Sequence, residues 1–204
     1  AGMAILRRAG FQARPFEERL MTIGVPYRIV GGLRFYERAE IRDCLAYMRV
    51  LSQPSDDLAF ERIINVPKRG VGAVAVQKLH GLARTLPGPL TAAVLTQIEQ
   101  GALKGKSKEA LTSLMEAFQR AKATLETEGQ VVAVEQLLEE SGYLQMWRDD
   151  RSVEAPGRLD NIRELLRAIG EFATLEGFLD HVALVMDTES ETTAAKVSLS
   201  TLPG

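Results

Sequence analysis

The sequence predicts a mainly α protein with a small α/β unit formed by its two chain ends. Apolar residues recur at helical spacing through almost the whole stretch from Glu37 to Asp187. Ahead of them, "MAILRRAGFQARPFEERLMTIGVPYRIVGG" changes period twice, from strand to helix and back to strand. At the other end, "KVSLSTL" again reads as a strand. A strand that returns after a wholly helical excursion marks the helices as an insertion within the unit begun at the N-terminus. The chain ends are therefore expected side by side.

In chain order, "MAILRR" is a short apolar run suited to a strand, and "RPFEERLMTIG" spaces Phe16, Leu20 and Ile23 for a helix that Gly24 stops. "PYRIV" is a second strand closed by Gly31 and Gly32. Two strands alone make no stable parallel sheet, so further strands must come from elsewhere. "ERAEIRDCLAYMRVLSQ" carries Ile41, Leu45, Met48 and Leu51 on one helical face, and "SDDLAFERIIN" follows with acidic residues at its N-terminal end. "LTAAVLTQIEQ" is helical in pattern, and "SKEALTSLMEAFQRAKATLETEG" has a stripe through Leu111, Leu114, Met115, Phe118 and Leu125. "VVAVEQLLEESGY" stops at Gly142. "GRLDNIRELLRAIGEF" aligns Leu159, Ile162, Leu165, Leu166, Ile169 and Phe172, and "TLEGFLDHVALVMD" makes a last helix. These stripes are read as core.

At 204 residues, with 46% hydrophobic and 25% charged residues, the composition is that of an ordinary globular protein. The net charge of -2 offers no overall positive field, so nucleic acid could be held only by a local basic patch. Cys44 is the single cysteine, which rules out an internal disulfide and a cysteine-rich zinc site. His80 and His181 are far apart and predict no metal site. A reducing, cytoplasmic setting is expected, and no apolar run has the length of a membrane span.

The candidate site is "NVPKRGVGAVAVQKL". Gly70 and Gly72 let backbone N–H groups face outward, and a helix starting behind them aims its unpaired amides and positive dipole end at the same place. Lys68 and Arg69 are expected to add full charges. The arrangement suits a phosphate, and two helices joined by such a turn can hold a duplex by its backbone, without sequence preference and with strong salt dependence. Val71 is expected to tolerate change, and Gly70 and Gly72 to reject bulk. A plain connecting turn explains the same residues, and the sequence pattern leaves both readings open.

"GALKGKS" has three residues between Gly101 and Gly105 where a nucleotide-binding P-loop has four, and it follows a helix where that motif follows a strand. It is read as a solvated loop whose Lys104, Lys106 and Lys108 could graze a nucleic-acid backbone. The acidic runs "EER", "LEES" and "RDDR" are read as solvated helix faces.

Taken together, "AILRRAGFQARPFEERL", "GVPYRIVGGLRFYERAEIRDCLAYMRVL", "DDLAFERIINVPKRGVG", "RLDNIRELLRAIGEF" and "LEGFLDHVALVMD" resemble, in order, segments of the UvrD/Rep/PcrA group of superfamily 1 DNA helicases. The similarity is weakest at about residues 84–130. It implies that residues 1–32 and 191–204 are pieces of the second RecA-like (2A) domain. Residues 33–190 would be its inserted helical 2B subdomain, swivelling on hinges at Gly31, Gly32, Thr192 and Thr193. Lys68, Arg69, Gly70, Val71 and Gly72 fall on the family's duplex-contacting "PKRGIG" stretch. The implied partners are duplex DNA and the remaining domains of the parent helicase, and ATP and Mg would serve that parent. After "KVSL" the chain reads "STLPG" where the family continues into a motif coupling ATP to DNA, so a non-catalytic, regulatory fragment with no cofactor of its own is expected. The alternative is a helical protein-interaction module with no direct DNA contact.

Overall fold

The structure, a computed structural model, describes residues 4–7, 13–25, 27–30, 35–85, 88–187 and 197–201. The predicted hinge positions Gly31, Gly32, Thr192 and Thr193 lie outside these residues. The described chain is mainly α, with ten α-helices and only short strands.

Strand β1 (Ala4–Arg7), helix α1 (Ala13–Thr22) and strand β2 (Tyr27–Val30) open the chain, and strand β3 (Val197–Thr201) returns near its end. The strands pair in parallel in the order β1-β3-β2, with Ile5 and Ile29 both opposite Leu199. The C-terminal strand thus lies between the two N-terminal ones. Helix α1 ends in a Schellman motif at Gly24, whose φ of +68° suits glycine. The Gly24 amide donates to Met21 O at 2.8 Å and the Val25 amide to Leu20 O at 2.8 Å. Leu20, Met21 and Val25 of this capped end are half-buried against the same apolar cluster as Ile5 of β1.

A 3-10 turn at Phe35–Glu37 leads into the helical body: α2 (Ala39–Ser52), α3 (Asp57–Ile63), α4 (Ala73–Thr85), α5 (Leu90–Glu99), α6 (Gly105–Thr127), α7 (Gln130–Glu140), α8 (Tyr143–Asp149), α9 (Ala155–Ile169) and α10 (Leu175–Asp187). Helix α2 lies at the centre, packed against α3, α6, α7, α9 and α10. Its single predicted stripe understates its burial, because Ala46, Tyr47 and Val50 are buried together with Ile41, Cys44, Leu45, Met48 and Leu51. Five neighbouring helices leave it little solvent-facing surface. Helix α8 is a short element that the sequence pattern did not reveal; it begins after Gly142, which takes φ +78°.

The centre of the body is not wholly apolar. Tyr143 Oη shares its proton between Glu40 O and Asp43 Oδ2, each at 3.1 Å, and Arg62 Nε donates to Asp43 Oδ1 at 2.7 Å. Asn161 Nδ2 donates to Glu40 Oε1 at 2.6 Å. Buried carboxylates are tolerable because they are bonded. The Tyr47 ring stacks with Phe118 and tilts against Tyr143, linking α2 to α6 and α8.

Candidate nucleic-acid interface

The α3–α4 connection is held in shape by one side chain near its start. Asn65 Oδ1 accepts from the Arg69 amide at 2.7 Å and from the Val71 amide at 3.3 Å, curling residues 65–71 around it. The Val66–Pro67 bond within this curl is cis. Along the next residues exposure alternates: Lys68, Gly70 and Gly72 face solvent, while Arg69 and Val71 are turned inward.

The inward residues correct two sequence expectations. Arg69 is only 7% exposed, and its guanidinium is occupied by protein oxygens instead of standing free beside Lys68. Nη1 donates to Ile63 O at 2.8 Å, with longer approaches to Ile64 O and Pro67 O, and Nη2 donates to Ser141 O at 2.7 Å and Tyr47 Oη at 2.9 Å. Val71 is 3% exposed and belongs to the main core, so it is an apolar anchor and not a position open to change.

The two glycines are not equivalent. Gly70 has φ +74°, and a Cβ there would sit 2.6 Å from Ser107 Oγ, so the turn itself requires glycine. Gly72 would meet nothing within 4 Å, so the fold does not dictate its lack of a side chain. Gly72 O accepts from the amides of Ala75 and Val76, which makes it the residue from which α4 springs. The amides of Ala73 and Val74, ahead of these, have no intrahelical carbonyl to bond, and no acidic side chain occupies the first turn.

The structure also brings up a second segment. Ser107 Oγ donates to Gly70 O at 3.3 Å, which sets the start of α6 beside the hairpin. Lys104, Lys106 and Lys108 are all exposed there, and the first turn of α6 has no acid and no side-chain cap. The result is a neighbourhood with four exposed lysines, Lys68 included, and two adjacent helix N-termini. No local sequence pattern joins positions 70 and 107, which meet only through the fold. Asn65 was missed altogether, although an Asn at the head of a Pro- and Gly-containing loop is a known turn organiser.

The Gly101–Gly105 loop follows helix α5, not a strand, so it lacks the strand–loop–helix frame of a phosphate-wrapping P-loop. Among the described residues no group of three or more His, Cys, Asp or Glu is placed to hold a metal ion. No helix among the described residues is long and apolar enough to cross a membrane.

A sequence model of the UvrD-like helicase C-terminal domain matches residues 1–202. Among curated proteins, the chain is 45% identical over 187 residues to a probable DNA helicase II homolog of Rickettsia conorii, covering 92% of this chain and 29% of that protein. It is 36% identical over 193 residues to the ATP-dependent DNA helicase PcrA of Bacillus subtilis, covering 92% of this chain and 26% of that protein. With DNA helicase II of Escherichia coli the identity is 32% over 212 residues, covering 99% and 29% respectively. The chain therefore spans less than a third of the length of these relatives.

Proposed function

The chain belongs to the UvrD-like helicase C-terminal domain family, and from that premise we propose that it is the duplex-contacting, regulatory part of an ATP-dependent DNA helicase acting in repair or replication. In this reading residues 33–190 are the 2B subdomain. Residues 1–32 and 191–204 are pieces of the second RecA-like domain, meeting through the parallel β1-β3-β2 pairing. ATP and magnesium chemistry belongs to the parent's other domains, and the whole is a cytoplasmic enzyme.

The observation that carries the reading is the outward alternation of the hairpin. Lys68 presents a charge and Gly72 an open backbone on the exposed side, at the start of α4 where no acid occupies the first turn, with Gly70 and the lysines of the α6 start alongside. A phosphate needs that combination: donors on the main chain, a positive dipole end and mobile cations nearby. Nothing in it reads a base edge, so recognition would follow the sugar-phosphate rail whatever the sequence. Arg69 and Val71 support this surface from behind.

Fluorescence anisotropy with a labelled duplex of arbitrary sequence tests the proposal. Binding should weaken steeply with added salt, and Lys68→Ala should weaken it further while lowering the slope of log K against log salt by about 0.9, the share of a single neutralised phosphate. Lys68→Ala binding with wild-type affinity and slope would remove the hairpin from the interface. The helical interaction-module reading would then stand.

A further inference from the structure

We infer that Arg69 is a positioning residue: its guanidinium, buried among main-chain oxygens of α3 and α7, sets the hairpin in its outward conformation without touching the duplex. The inference rests on the duplex-contact reading but concerns a residue that sequence alone places among the DNA-contacting ones.

Geometry argues for it first. The five oxygens that Arg69 approaches come from four separate places: the end of α3 (Ile63, Ile64), the loop itself (Pro67), α2 (Tyr47) and the residue after α7 (Ser141). Tyr47 Oη, while accepting from Arg69, donates to Val66 O at 2.6 Å, so the loop is gripped on both sides of Pro67. The α7–α8 junction closes the arrangement from beyond: a Cβ on Gly142 would lie 3.8 Å from Pro67 Cγ.

Electrostatics argues for it next. A buried guanidinium is costly unless each donor is satisfied, and here all five acceptors are neutral oxygens. Three of them, on Ile63, Ile64 and Ser141, lie at helix C-termini, where carbonyls lack intrahelical partners and the dipole is negative. The positive charge is thus held by two helix ends. Only a planar fork with donors on separate nitrogens can serve carbonyls arriving from different elements; a lysine ammonium is a point with three donors. Turning this side chain outward to meet a phosphate would take its donor from Ser141 O and Ile64 O and leave Ile63 O with the Val66 amide alone. The cost of doing so favours the inward state.

A residue that touches phosphate and one that positions the hairpin differ in salt dependence. Removing a cation that neutralises one phosphate lowers the slope of log K against log salt by about 0.9, whereas a misplaced hairpin lowers affinity while the remaining cations still release their counterions. In this 204-residue chain, Arg69→Met, checked for folding by circular dichroism, should bind the duplex about tenfold more weakly, the size expected when buried acceptors lose their donor. Its salt slope should stay at the wild-type value while that of Lys68→Ala falls. Hydrogen exchange of the Val71 amide, which Asn65 holds, should quicken in Arg69→Met and not in Lys68→Ala. A slope that falls in Arg69→Met as it does in Lys68→Ala would place Arg69 on the DNA and overturn the inference. Unchanged affinity and unchanged exchange would overturn it equally. Where Arg69→Met fails to fold, Arg69→Lys is read in its place, and wild-type affinity and exchange in that variant would sink the claim. Should the wild-type chain bind no duplex, the duplex-contact reading is what fails. The Val71 exchange then decides the positioning role alone: faster exchange supports it and unchanged exchange overturns it.

Discussion

Arg14 Nε on α1 donates to Glu164 Oε1 on α9 at 3.0 Å, joining residues 150 positions apart. The same guanidinium donates to Glu18 Oε2 at 2.9 Å within α1 and to Glu171 Oε1 at 3.0 Å just beyond α9. Arg14 is 4% exposed, so three carboxylates from two parts of the molecule share one buried cation. Burial alone would lower its pKa, but the bonds to Glu171, Glu18 and Glu164 outweigh that and hold it above the usual arginine range. The clasp ties the strand-bearing unit to the helical body.

Replacing Arg14 by Met should therefore destabilise the protein. The nearly buried Glu164 is deprived of its clasp partner, while Glu171, more than half exposed, is largely rescued by water. Full loss of one partner of a buried pair costs about 3–5 kcal/mol; with this partial exposure about 2 kcal/mol is expected, read from the midpoint shift in urea.

That loss should depend on pH. The hydrogen bond from Arg14 holds the Glu171 carboxyl below its ordinary value, against the smaller opposing effect of burial. A depressed carboxylate contributes stability that is complete above its unfolded pKa and disappears as pH falls through the folded one. Glu171's share of the gap between wild type and Arg14→Met should be full near neutrality and fade below about pH 4, so the gap should narrow there without closing. Urea melts at several pH values would show it, and a gap that stays constant down to strong acid would contradict the assignment.

The two hairpin glycines should separate folding from binding. Gly70→Ala forces an alanine to φ +74°, which should cost about 1–2 kcal/mol. The neighbouring Ser107 hydroxyl can rotate away, so Ser107→Gly should restore little of it. Gly72→Ala adds a methyl to open space and should leave stability within about 0.5 kcal/mol of wild type. Its duplex affinity should nonetheless drop, because the methyl stands where a phosphate would approach the amides of α4. Wild-type binding by a well-folded Gly72→Ala would mean that no ligand comes close there.

Cys44 offers an independent check on the core. It is fully buried on α2, and burial pushes its thiol well above the ordinary cysteine value, with the Asp43 and Glu40 carboxylates adding to the effect. A thiol reagent such as Ellman's should leave the native protein unmodified on the timescale of minutes and titrate one thiol per chain in urea. Rapid native labelling would show that α2 is less enclosed than its neighbours make it.

Local pattern carried much of this fold and little of the site's interior. The stripe Leu111, Leu114, Met115 and Phe118 is buried on α6 as its spacing requires, because an apolar face has one way to leave water. Helix α8 escaped notice since "YLQMWRD" is too short for a period to declare itself. Arg69 was legible as a basic residue but not as a buried one. Its direction depends on Tyr47 and Ser141, 22 and 72 positions away, and no window of sequence contains them. The Arg14–Glu164 pair was hidden for the same reason. Outward residues such as Lys68 were easier, because solvent asks only for charge.

The lysines at the start of α6 supply the last prediction. Lys104, Lys106 and Lys108 are exposed beside Gly70, reached through the Ser107–Gly70 hydrogen bond. Glu109 is exposed among them and offsets part of their charge, so their combined effect should be smaller than that of three unopposed cations. If the duplex lies across both helix starts, Lys104→Gln with Lys106→Gln and Lys108→Gln should flatten the salt slope by about 1–2, between one and two released counterions. Stability in urea should be untouched, since exposed charges away from partners contribute little. Two duplexes of equal length and unrelated sequence should be weakened alike, because phosphate contacts carry no base information. A triple variant with the wild-type slope would confine the interface to the α3–α4 hairpin, and a loss that differed between the two duplexes would show that base edges are being read.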